Sequence, residues 1–332
     1  MKNLVTVIIP CYNMALKINR MFDSLLSQTY QNLEIIAVDD GSIDNSKQVI
    51  NGYIPIFKEK GISLKYIYQQ NKGLGGAINT GLKHISGDFL CWVDADDFLM
   101  PDSIEKRLAF LLNKPEYGLV RSDYYVYLEN DLTKPIRRGS GNYPSRFKEE
   151  GLFEDYLRDN HVTYCCGCHM IRMSSLRKVN PNLDIFEAPR GQNIQMLLPM
   201  VYKYKEGFID ECLYGYIVYG DSMSSGDDTY EKSIERIEGI NEIKRQTLNR
   251  ITFDNNEKAY YEDIAEQFYY YKKAICAYSF HHYNDFDEYQ SKVYDKQYRK
   301  SLRIKYLRRR IAHLIDRIKK TFGLFSHGRN QN

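Results

Sequence analysis

Three aspartates lie within four positions of one another in the segment CWVDADDFLMPD, residues 91–102. An apolar run precedes Asp94, Asp96 and Asp97, so the cluster stands at the end of a predicted buried strand. Carboxylates this close repel one another, and their burial is costly. They are also the hard oxygen ligands of Mg²⁺ or Mn²⁺, which take one or two carboxylates plus waters and phosphates. The cluster therefore indicates either a divalent-metal site or a solvated acidic turn in which Asp97 or Asp102 caps a helix.

Strands and helices alternate over the first hundred residues. Continuous apolar runs predict four buried strands, at residues 4–10, 33–42, 64–70 and 88–97. A helix is predicted after the first strand, with Asn13 as its cap. This alternation predicts an α/β fold with a mostly parallel sheet, whose binding site lies outside the carboxyl ends of the strands. Four polar or glycine-rich loops should meet there: residues 11–13, 39–42, 71–76 and 94–97.

The pattern changes after Pro101. Strands are predicted near residues 118–130 and 208–218, and helices near 173–179 and 192–204. Residues 227–298 read as helical and are rich in tyrosine, which we expect to pack helices rather than to stack on sugars. We therefore expect a domain of residues 1–225, a helical extension of residues 226–298 and a tail of residues 299–332.

Composition and charge indicate the cellular compartment of the protein and the kind of partner that its C-terminal tail would bind. The seven cysteines are odd in number and scattered, which favours a reduced, cytoplasmic protein over a disulfide framework. No apolar run is long enough for a membrane span, and MKNLVTVIIPCYN reads as a first strand rather than a secretory signal. The net charge is +3, but residues 299–332 contain eleven Lys or Arg and one acid, whereas the rest of the chain is acidic. An anionic surface is the partner that such a tail favours.

The tail also has a helical pattern. Apolar residues recur at intervals of three and four, and basic residues fill much of the remainder: Ile304, Leu307, Ile311, Leu314, Ile318 and Phe322, with Arg303, Lys305, Arg308, Arg309, Arg310, Arg317, Lys319 and Lys320. A basic amphipathic helix predicts binding to a membrane surface. Two other roles of this helix remain as alternatives: it could form a homodimer by pairing with a second copy, or it could dock on the body of the protein. No stacking platform or known motif supports nucleic-acid binding.

Four segments in the first hundred residues together resemble glycosyltransferase family 2. They are VTVIIPCYN, LEIIAVDDGSIDNS, NKGLGGAINTGL and GDFLCWVDADD, in this order and spacing. The resemblance is specific over residues 4–100 and weakens up to about Ser225. It implies the GT-A fold and transfer of a sugar, with inversion, from a nucleotide diphosphate sugar. Residues 1–100 would bind the nucleotide sugar and residues 101–225 the acceptor.

The resemblance implies a role for each matching residue. Pro10, Cys11 and Tyr12 would line the nucleotide base, and Asp40 would accept a hydrogen bond from it. Lys72 and Gly73 would lie near the base and ribose. Asp94 and Asp96 would form the family's DxD motif. Asp94 would lie by the ribose and metal, and Asp96 would bind the Mn²⁺ or Mg²⁺ ion that bridges the diphosphate.

Three departures from the family pattern concern charge and catalysis. Ile78 and Ile217 stand where arginines are common. The turn that often supplies an acidic general base reads RGQN here, with Gln192 and Asn193 in those places. Neither amide can accept a proton usefully near neutral pH. We therefore predict that Glu187 is the base.

The assignment of Glu187 has an alternative, and other residues near it would contact the substrates. Glu187 could instead be a structural partner of Arg190. Gln192 and Asn193, with Arg190, would then contact donor or acceptor hydroxyls. Tyr219 and Ser222 would border the diphosphate.

The sequence analysis therefore predicts a metal-dependent inverting glycosyltransferase. It would move a hexose or N-acetylhexosamine, with UDP favoured by the resemblance, to a surface polysaccharide or lipid-linked glycan. A binding-only module of the same fold stays open because the usual base is missing. A sugar-nucleotide nucleotidyltransferase would need a glycine-rich signature after the first strand, where PCYN has none. Zinc binding by YCCGCH, residues 164–169, lacks the second ligand pair of structural zinc sites.

Overall fold

The computed structural model describes residues 3–139, 149–160, 162–188, 190–220, 228–254 and 256–321. Ser222 and Phe322, both named above, lie outside these residues, as do the side chains of residues 316–321. Contacts between Cα atoms divide the chain into two compact units. One consists of residues 1–226 and 242–262, and the other of residues 227–241 and 263–332. The division thus runs through two helices of the C-terminal region rather than at one point of the chain.

Within the described residues, nine strands form one sheet. In chain order they are β1 (Val5–Cys11), β2 (Leu33–Asp39), β3 (Ser63–Tyr68), β4 (Phe89–Trp92), β5 (Phe98–Leu99), β6 (Tyr117–Leu128), β7 (Arg137–Arg138), β8 (His169–Arg172) and β9 (Lys205–Val218). Their order in the sheet is β3-β2-β1-β4-β8-β6-β9-β5, with β7 paired to β6. The four predicted N-terminal strands are confirmed.

Helices connect and cover the strands. In the same residues they are α1 (Ile18–Leu26), α2 (Ser46–Glu59), α3 (Gly73–Leu82), α4 (Ser103–Asn113), α5 (Leu152–Leu157), α6 (Met173–Val179), α7 (Gln192–Lys203), α8 (Tyr230–Arg250), α9 (Glu257–Ser279), α10 (Tyr283–Ser291) and α11 (Lys296–Thr321). None of the described helices is both long and apolar enough to cross a bilayer.

The sheet is parallel only in its N-terminal part. β1, β2, β3 and β4 pair in parallel, whereas β8 is antiparallel to both β4 and β6. β6 and β9 pair in parallel over their whole length, but the register shifts around Gly118 and again around Asp123. Such bulges bend and twist strands, so this half of the sheet curls. The predicted α/β class is confirmed, but the sheet is mixed because β5, β7 and β8 run against their neighbours.

Burial explains the continuous apolar runs in the parallel strands. Every residue of β1 and β4 is buried, as is nearly all of β2, because helices cover both faces of this part of the sheet. The apolar face of α1 packs into the same core through Ile18, Met21, Phe22 and Leu25. This packing gives the loops after the strands a rigid base.

The second unit has its own core, in which tyrosines take part. Phe268, Phe286 and Leu302 are buried there, and Tyr270, Tyr271, Tyr278 and Tyr289 pack against them, half-buried. Aromatic side chains of this kind bury a large apolar area while their hydroxyls reach water. The packing role predicted for the tyrosines is confirmed for these residues, whereas Tyr260 and Tyr294 are exposed.

Candidate active site

The parallel strands end together at one edge of the sheet. Cys11, at the end of β1, lies opposite Asp39 on β2, which lies opposite Tyr68 on β3. β4 pairs with β1 on the other side, with Trp92 opposite Ile8. The loops after β1, β2 and β4 therefore leave the sheet on the same side, as predicted.

Asp40 holds two of these loops together. Its backbone N–H donates to the Cys11 carbonyl at 2.9 Å. Its Oδ1 accepts hydrogen bonds from the Lys72 backbone N–H at 2.9 Å and from Gln69 Nε2 at 2.6 Å. Within the described residues no hydrogen bond uses Oδ2.

The residues predicted to line a nucleotide base differ in exposure. Pro10 and Cys11 are buried, whereas Tyr12 is exposed. Burial, aided by the negative charge of Asp39, raises the pKa of the Cys11 thiol, which is therefore neutral. The thiol packs in the core, so any contribution of Cys11 to a ligand would come from its backbone.

Asn13 joins the first two loops instead of capping a helix, which corrects the sequence analysis. Its φ of 55° places it in the left-handed region, and α1 begins only at Ile18. Its backbone N–H donates to Ser42 Oγ at 2.9 Å, and its Oδ1 accepts from the Ile43 N–H at 2.9 Å. The loop after β1 is thereby fixed to the loop after β2.

Glycines allow close approach of three loops. Gly41 has a φ of +83°, and a Cβ there would lie 2.9 Å from the Asn71 backbone nitrogen. Gly73, the first residue of α3, has a φ of 74°. A Cβ on Gly75 would lie 3.0 Å from the backbone nitrogen of Ala188, whose carbonyl accepts the Gly75 N–H at 3.3 Å. The glycine-rich turn is thus packed directly against the segment that carries the predicted base.

Side-chain amides fix that segment on both sides. Asn79 of α3 exchanges two hydrogen bonds with the backbone of Ile185, at 2.9 and 2.7 Å. Gln195 of α7 does the same with the backbone of Phe186, at 2.9 and 2.7 Å. The next residue, Glu187, is consequently held beside the start of α3.

The Glu187 side chain is exposed to solvent. In the part of the chain that the structure describes, no ion pair joins it to Arg190. An exposed carboxylate is accessible to an acceptor molecule. The catalytic role of Glu187 itself stays a prediction.

Asn193 is used inside the protein. Its Oδ1 accepts from Trp92 Nε1 at 2.7 Å, and its Nδ2 donates to the Tyr164 carbonyl at 2.7 Å. The adjacent Gln192 is largely buried at the first position of α7. Asn193 therefore links α7 to the end of β4, which leaves its amide less free to contact a sugar than the sequence suggests.

Asp97 is a structural member of the acid cluster. It is buried, its Oδ1 accepts from the Ile217 N–H at 2.8 Å, and its Oδ2 is 2.7 Å from the Tyr214 hydroxyl. Burial, and then the charges of Asp94 and Asp96, raise the pKa of Asp97 well above its usual range. Asp97 therefore fastens the end of β9 to the loop after β4. Neither Asp97 nor Asp102 caps a helix through its side chain.

Asp94 and Asp96 are half-buried beside it. Burial, and secondarily the charge of Asp96, raise the pKa of Asp94 to about 6, while a hydrogen bond from the Cys166 thiol opposes this shift. Asp94 and Asp96 are two carboxylates close together in the chain, and a divalent cation between them would offset their repulsion. The residues therefore fit an Mn²⁺ or Mg²⁺ ion.

The remaining ligands of such an ion would come from outside the protein. Among the described residues, no three His, Cys, Asp or Glu side chains gather as a metal site. This agrees with the usual Mg²⁺ site, in which waters and phosphates complete the coordination. Cys165, Cys166, Cys168 and His169 are among the described residues that do not gather in this way.

Two cationic residues at the start of α1 lie against the acid cluster: Lys17, just before the helix, and Arg20, in its first turn. Arg20 Nη1 donates to the Asp96 carbonyl at 3.1 Å and to the Tyr219 hydroxyl at 2.9 Å. Tyr219 in turn donates to the Asp96 carbonyl at 2.8 Å. The Lys17 ammonium lies 3.6 Å from the centre of the Tyr219 ring, a cation–π contact.

The sequence analysis missed both cations. Their spacing of three residues places Lys17 and Arg20 on one helix face, but nothing in the local sequence shows that this face meets the loop after β4. The positions where arginines were expected are apolar and buried, namely Ile78 and Ile217. Positive charge therefore reaches the site from α1.

Comparison with known proteins identifies the family. A model of "Glycosyl transferase family 2" matches residues 6–179, slightly more than half of the chain. The chain belongs to this family. Glycosyltransferase GlyA of Streptococcus pneumoniae is 33% identical over 183 residues, 55% of this chain. The chain spans only 21% of GlyA, and 60% of a similar uncharacterized glycosyltransferase of Rickettsia typhi.

Solved structures share the fold of this family 2 chain. S. aureus TarS 1–349 in complex with UDP-GlcNAc superposes with a TM-score of 0.62 at 18% identity, covering 92% of this chain and 88% of that one. The mannosyltransferase PcManGT of Pyrobaculum calidifontis, in complex with GDP-Man and Mn²⁺, gives 0.57 at 15% identity, covering 92% and 85%. These likenesses confirm the GT-A fold.

The hydrogen bonds of Asp97 predict that two substitutions there will destabilise the protein to different extents. Asp97→Asn keeps hydrogen-bonding atoms in place and adds no charge, so we expect the free energy of unfolding to change by less than about 1 kcal/mol. Asp97→Ala leaves the buried Ile217 N–H unpaired and should cost about 1–3 kcal/mol. Urea denaturation followed by circular dichroism measures both. Equal losses for the two variants would contradict this assignment.

Proposed function

We propose that this chain is a metal-dependent, inverting glycosyltransferase. It moves a hexose or N-acetylhexosamine from a nucleotide diphosphate sugar, with UDP as the nucleotide, to a hydroxyl of a surface polysaccharide or lipid-linked glycan. The observation that carries the proposal is the placement of two half-buried carboxylates and an arginine, Asp94, Asp96 and Arg20, at the strand ends that also hold Asp40. Family membership supplies the reaction class.

The donor would bind along the edge of the parallel strands. Asp40 Oδ2 would accept a hydrogen bond from the base, Tyr12 and Pro10 would contact its ring, and Lys72 and Gly73 would lie by the ribose. The two structural relatives bind UDP-GlcNAc and GDP-Man, which supports a nucleotide-sugar donor. The choice of UDP rests on family resemblance.

The diphosphate would lie over the acid cluster. A Mn²⁺ or Mg²⁺ ion held by Asp94 and Asp96 would stabilise the negative charge of the departing diphosphate. Arg20 and Lys17 add positive charge from α1, and charge-assisted hydrogen bonds to phosphate are stronger than neutral ones. They would replace the arginines that Ile78 and Ile217 do not supply.

Transfer requires one bond to form as another breaks. Glu187 would take the proton of the acceptor hydroxyl, whose oxygen forms a bond to the anomeric carbon. The bond from that carbon to the diphosphate oxygen breaks on the opposite face, and its electron pair leaves with the nucleoside diphosphate. Attack opposite the leaving group inverts the anomeric centre. Arg190 and Gln192 would contact sugar hydroxyls.

A binding module of the same fold is the second candidate. It is favoured by the absence of the usual acidic pair, since Asn193 makes internal hydrogen bonds instead. Such a protein would bind the nucleotide sugar and turn over none of it.

Thermal shift with a panel of nucleotide sugars, with and without Mn²⁺, tests donor binding. We expect stabilisation that needs both the ion and one donor, by about 2.7 kcal/mol when the ligand is at ~100 times its Kd. Asp96→Ala should abolish this dependence, whereas Glu59→Ala, an exposed acid at the end of α2, should leave it unchanged. Full metal-dependent binding by Asp96→Ala would contradict the ion site.

Arg20 should act on the diphosphate and not on the base. Arg20→Gln removes a charged donor, so we expect UDP to bind about 10-fold more weakly or worse, from roughly 1.5–3 kcal/mol per charged hydrogen bond. Uridine, which has no phosphates, should bind unchanged in calorimetry. Lys58→Gln, an exposed cation on α2, is the matched control. An equal loss for uridine would show a purely structural effect.

Glu187 is tested by hydrolysis of the donor, in which water replaces the acceptor. Glu187→Gln should lower the rate about 10²–10⁴-fold, since general-base catalysis contributes on that order, and should leave donor affinity unchanged. Release of UDP in the presence of Mn²⁺ measures the rate. Wild-type hydrolysis retained by Glu187→Gln would exclude this base. A wild-type protein that binds the donor but never hydrolyses or transfers it would favour the binding module.

A further inference from the structure

The C-terminal helix α11 has one face that packs within its own unit. Tyr298 and Leu302 are buried in the core of that unit. On the next turns, the Lys305 ammonium lies 4.9 Å from the ring centre of Tyr278, and Arg309 forms an ion pair with Asp287 at 2.9 Å. Residues 298, 302, 305 and 309 follow helical spacing, so they define a single face.

The opposite face of α11 is apolar and exposed. Its side chains are between 45% and 57% accessible to solvent: Ile304, Leu307, Ile311, Leu314 and Ile315. At 3.6 residues per turn, these positions centre about half a turn away from the packed face. Packing within its own unit therefore accounts for one side of α11 and leaves a stripe of five large aliphatic side chains uncovered within the described residues.

Basic residues border this apolar stripe. Arg299, Arg303 and Arg310 lie along one side of it, and Arg308 lies along the other, as their helical positions require. From residue 299 to residue 315 the helix contains seven Lys or Arg and no acid. An apolar stripe between cationic borders matches a surface that is apolar inside and anionic at its rim.

We propose that α11 binds this protein peripherally to an anionic phospholipid surface. The helix would lie in the plane of the interface, with its apolar stripe roughly 5–10 Å deep at the boundary of headgroups and acyl chains. The arginines at its sides would contact lipid phosphates. This proposal goes beyond the transfer reaction and does not depend on it, because the stripe lies in the second unit and none of the site residues does.

Charge argues against a second copy of the chain as the occupant. Two such stripes in contact would bring the basic borders of both helices together without any acid between residues 299 and 315 to offset them. Like charges in contact destabilise helix pairs. Nucleic acid would pair with the arginines but not with five exposed aliphatic side chains.

Cosedimentation with lipid vesicles tests the proposal. The full chain should bind vesicles that contain phosphatidylglycerol and should bind vesicles of phosphatidylcholine alone at least about 10-fold more weakly, since each basic residue near an anionic surface contributes on the order of a fivefold gain. The double variant Leu307→Ser with Ile311→Ser should lose binding to both. Ile56→Ser with Leu112→Ser changes equally exposed residues of the other unit, at 44% and 45%, and should have no effect.

A second variant, which changes charge alone, tests the proposal if the double serine variant does not fold. Arg303→Gln with Arg310→Gln keeps the apolar stripe and should weaken binding to anionic vesicles about 25-fold, on the basis of roughly a fivefold contribution per charge. Circular dichroism and unchanged donor-dependent thermal shift would verify that each variant is folded.

Several results would overturn the proposal. These are no vesicle binding by the wild-type chain, equal binding to neutral and anionic vesicles, or no effect of the Leu307 and Ile311 changes in a folded protein. A wild-type dimer that those two changes dissociate, without vesicle binding, would assign the stripe to contact between copies. Donor hydrolysis without vesicles should be the same in all variants, so a failure here is distinct from a failure of the proposed reaction.

Discussion

Three carboxylates at the end of one strand are tolerable in this fold because each has a different environment. Asp97 is buried and accepts hydrogen bonds from the Ile217 N–H and the Tyr214 hydroxyl, while burial raises its pKa. Asp94 shares a hydrogen bond with a cysteine thiol, and Asp96 lies where its backbone carbonyl meets an arginine. Asp94 and Asp96, which are half-buried, are then the two carboxylates that a cation could reach. The cluster is thus one structural acid and two potential ligands, not three equivalent groups.

This arrangement depends on the second half of the domain. Asp97 can be buried only because β9 brings Ile217 and Tyr214 to the loop after β4. β9 reaches that loop by following β6 through a pairing with several register shifts, which curls the sheet. The irregular half of the sheet therefore supports the loop of the regular half that carries the acid cluster.

The departures from the family pattern are partly offset in three dimensions. Buried isoleucines occupy two positions where cationic side chains are common, yet Arg20 and Lys17 bring positive charge to the same loop from α1. Of the two amides that stand in place of an acidic pair, Asn193 is hydrogen-bonded to Trp92 inside the protein. The nearby Glu187 lies on a segment that hydrogen bonds connect to α3 and α7. Charge and a carboxylate are therefore available to the proposed reaction, supplied by different elements.

Local pattern was enough to determine the four parallel strands, the loops at their ends, the cluster of three aspartates and the two faces of α11 over residues 298–315. Each of these follows from residues close together in the chain, such as an apolar run with Asp94 at its end or apolar residues three and four apart. The tertiary structure decided what required distant segments to meet. It buried Asp97 against β9, engaged Asn193 with Trp92, turned Asn13 from a helix cap into a link between loops, and placed Arg20 beside Asp96. The reason is that a side chain's charge state and available hydrogen-bonding atoms depend on its neighbours in space. These neighbours can be up to 199 residues distant along the chain, and local residue spacing does not show which they are.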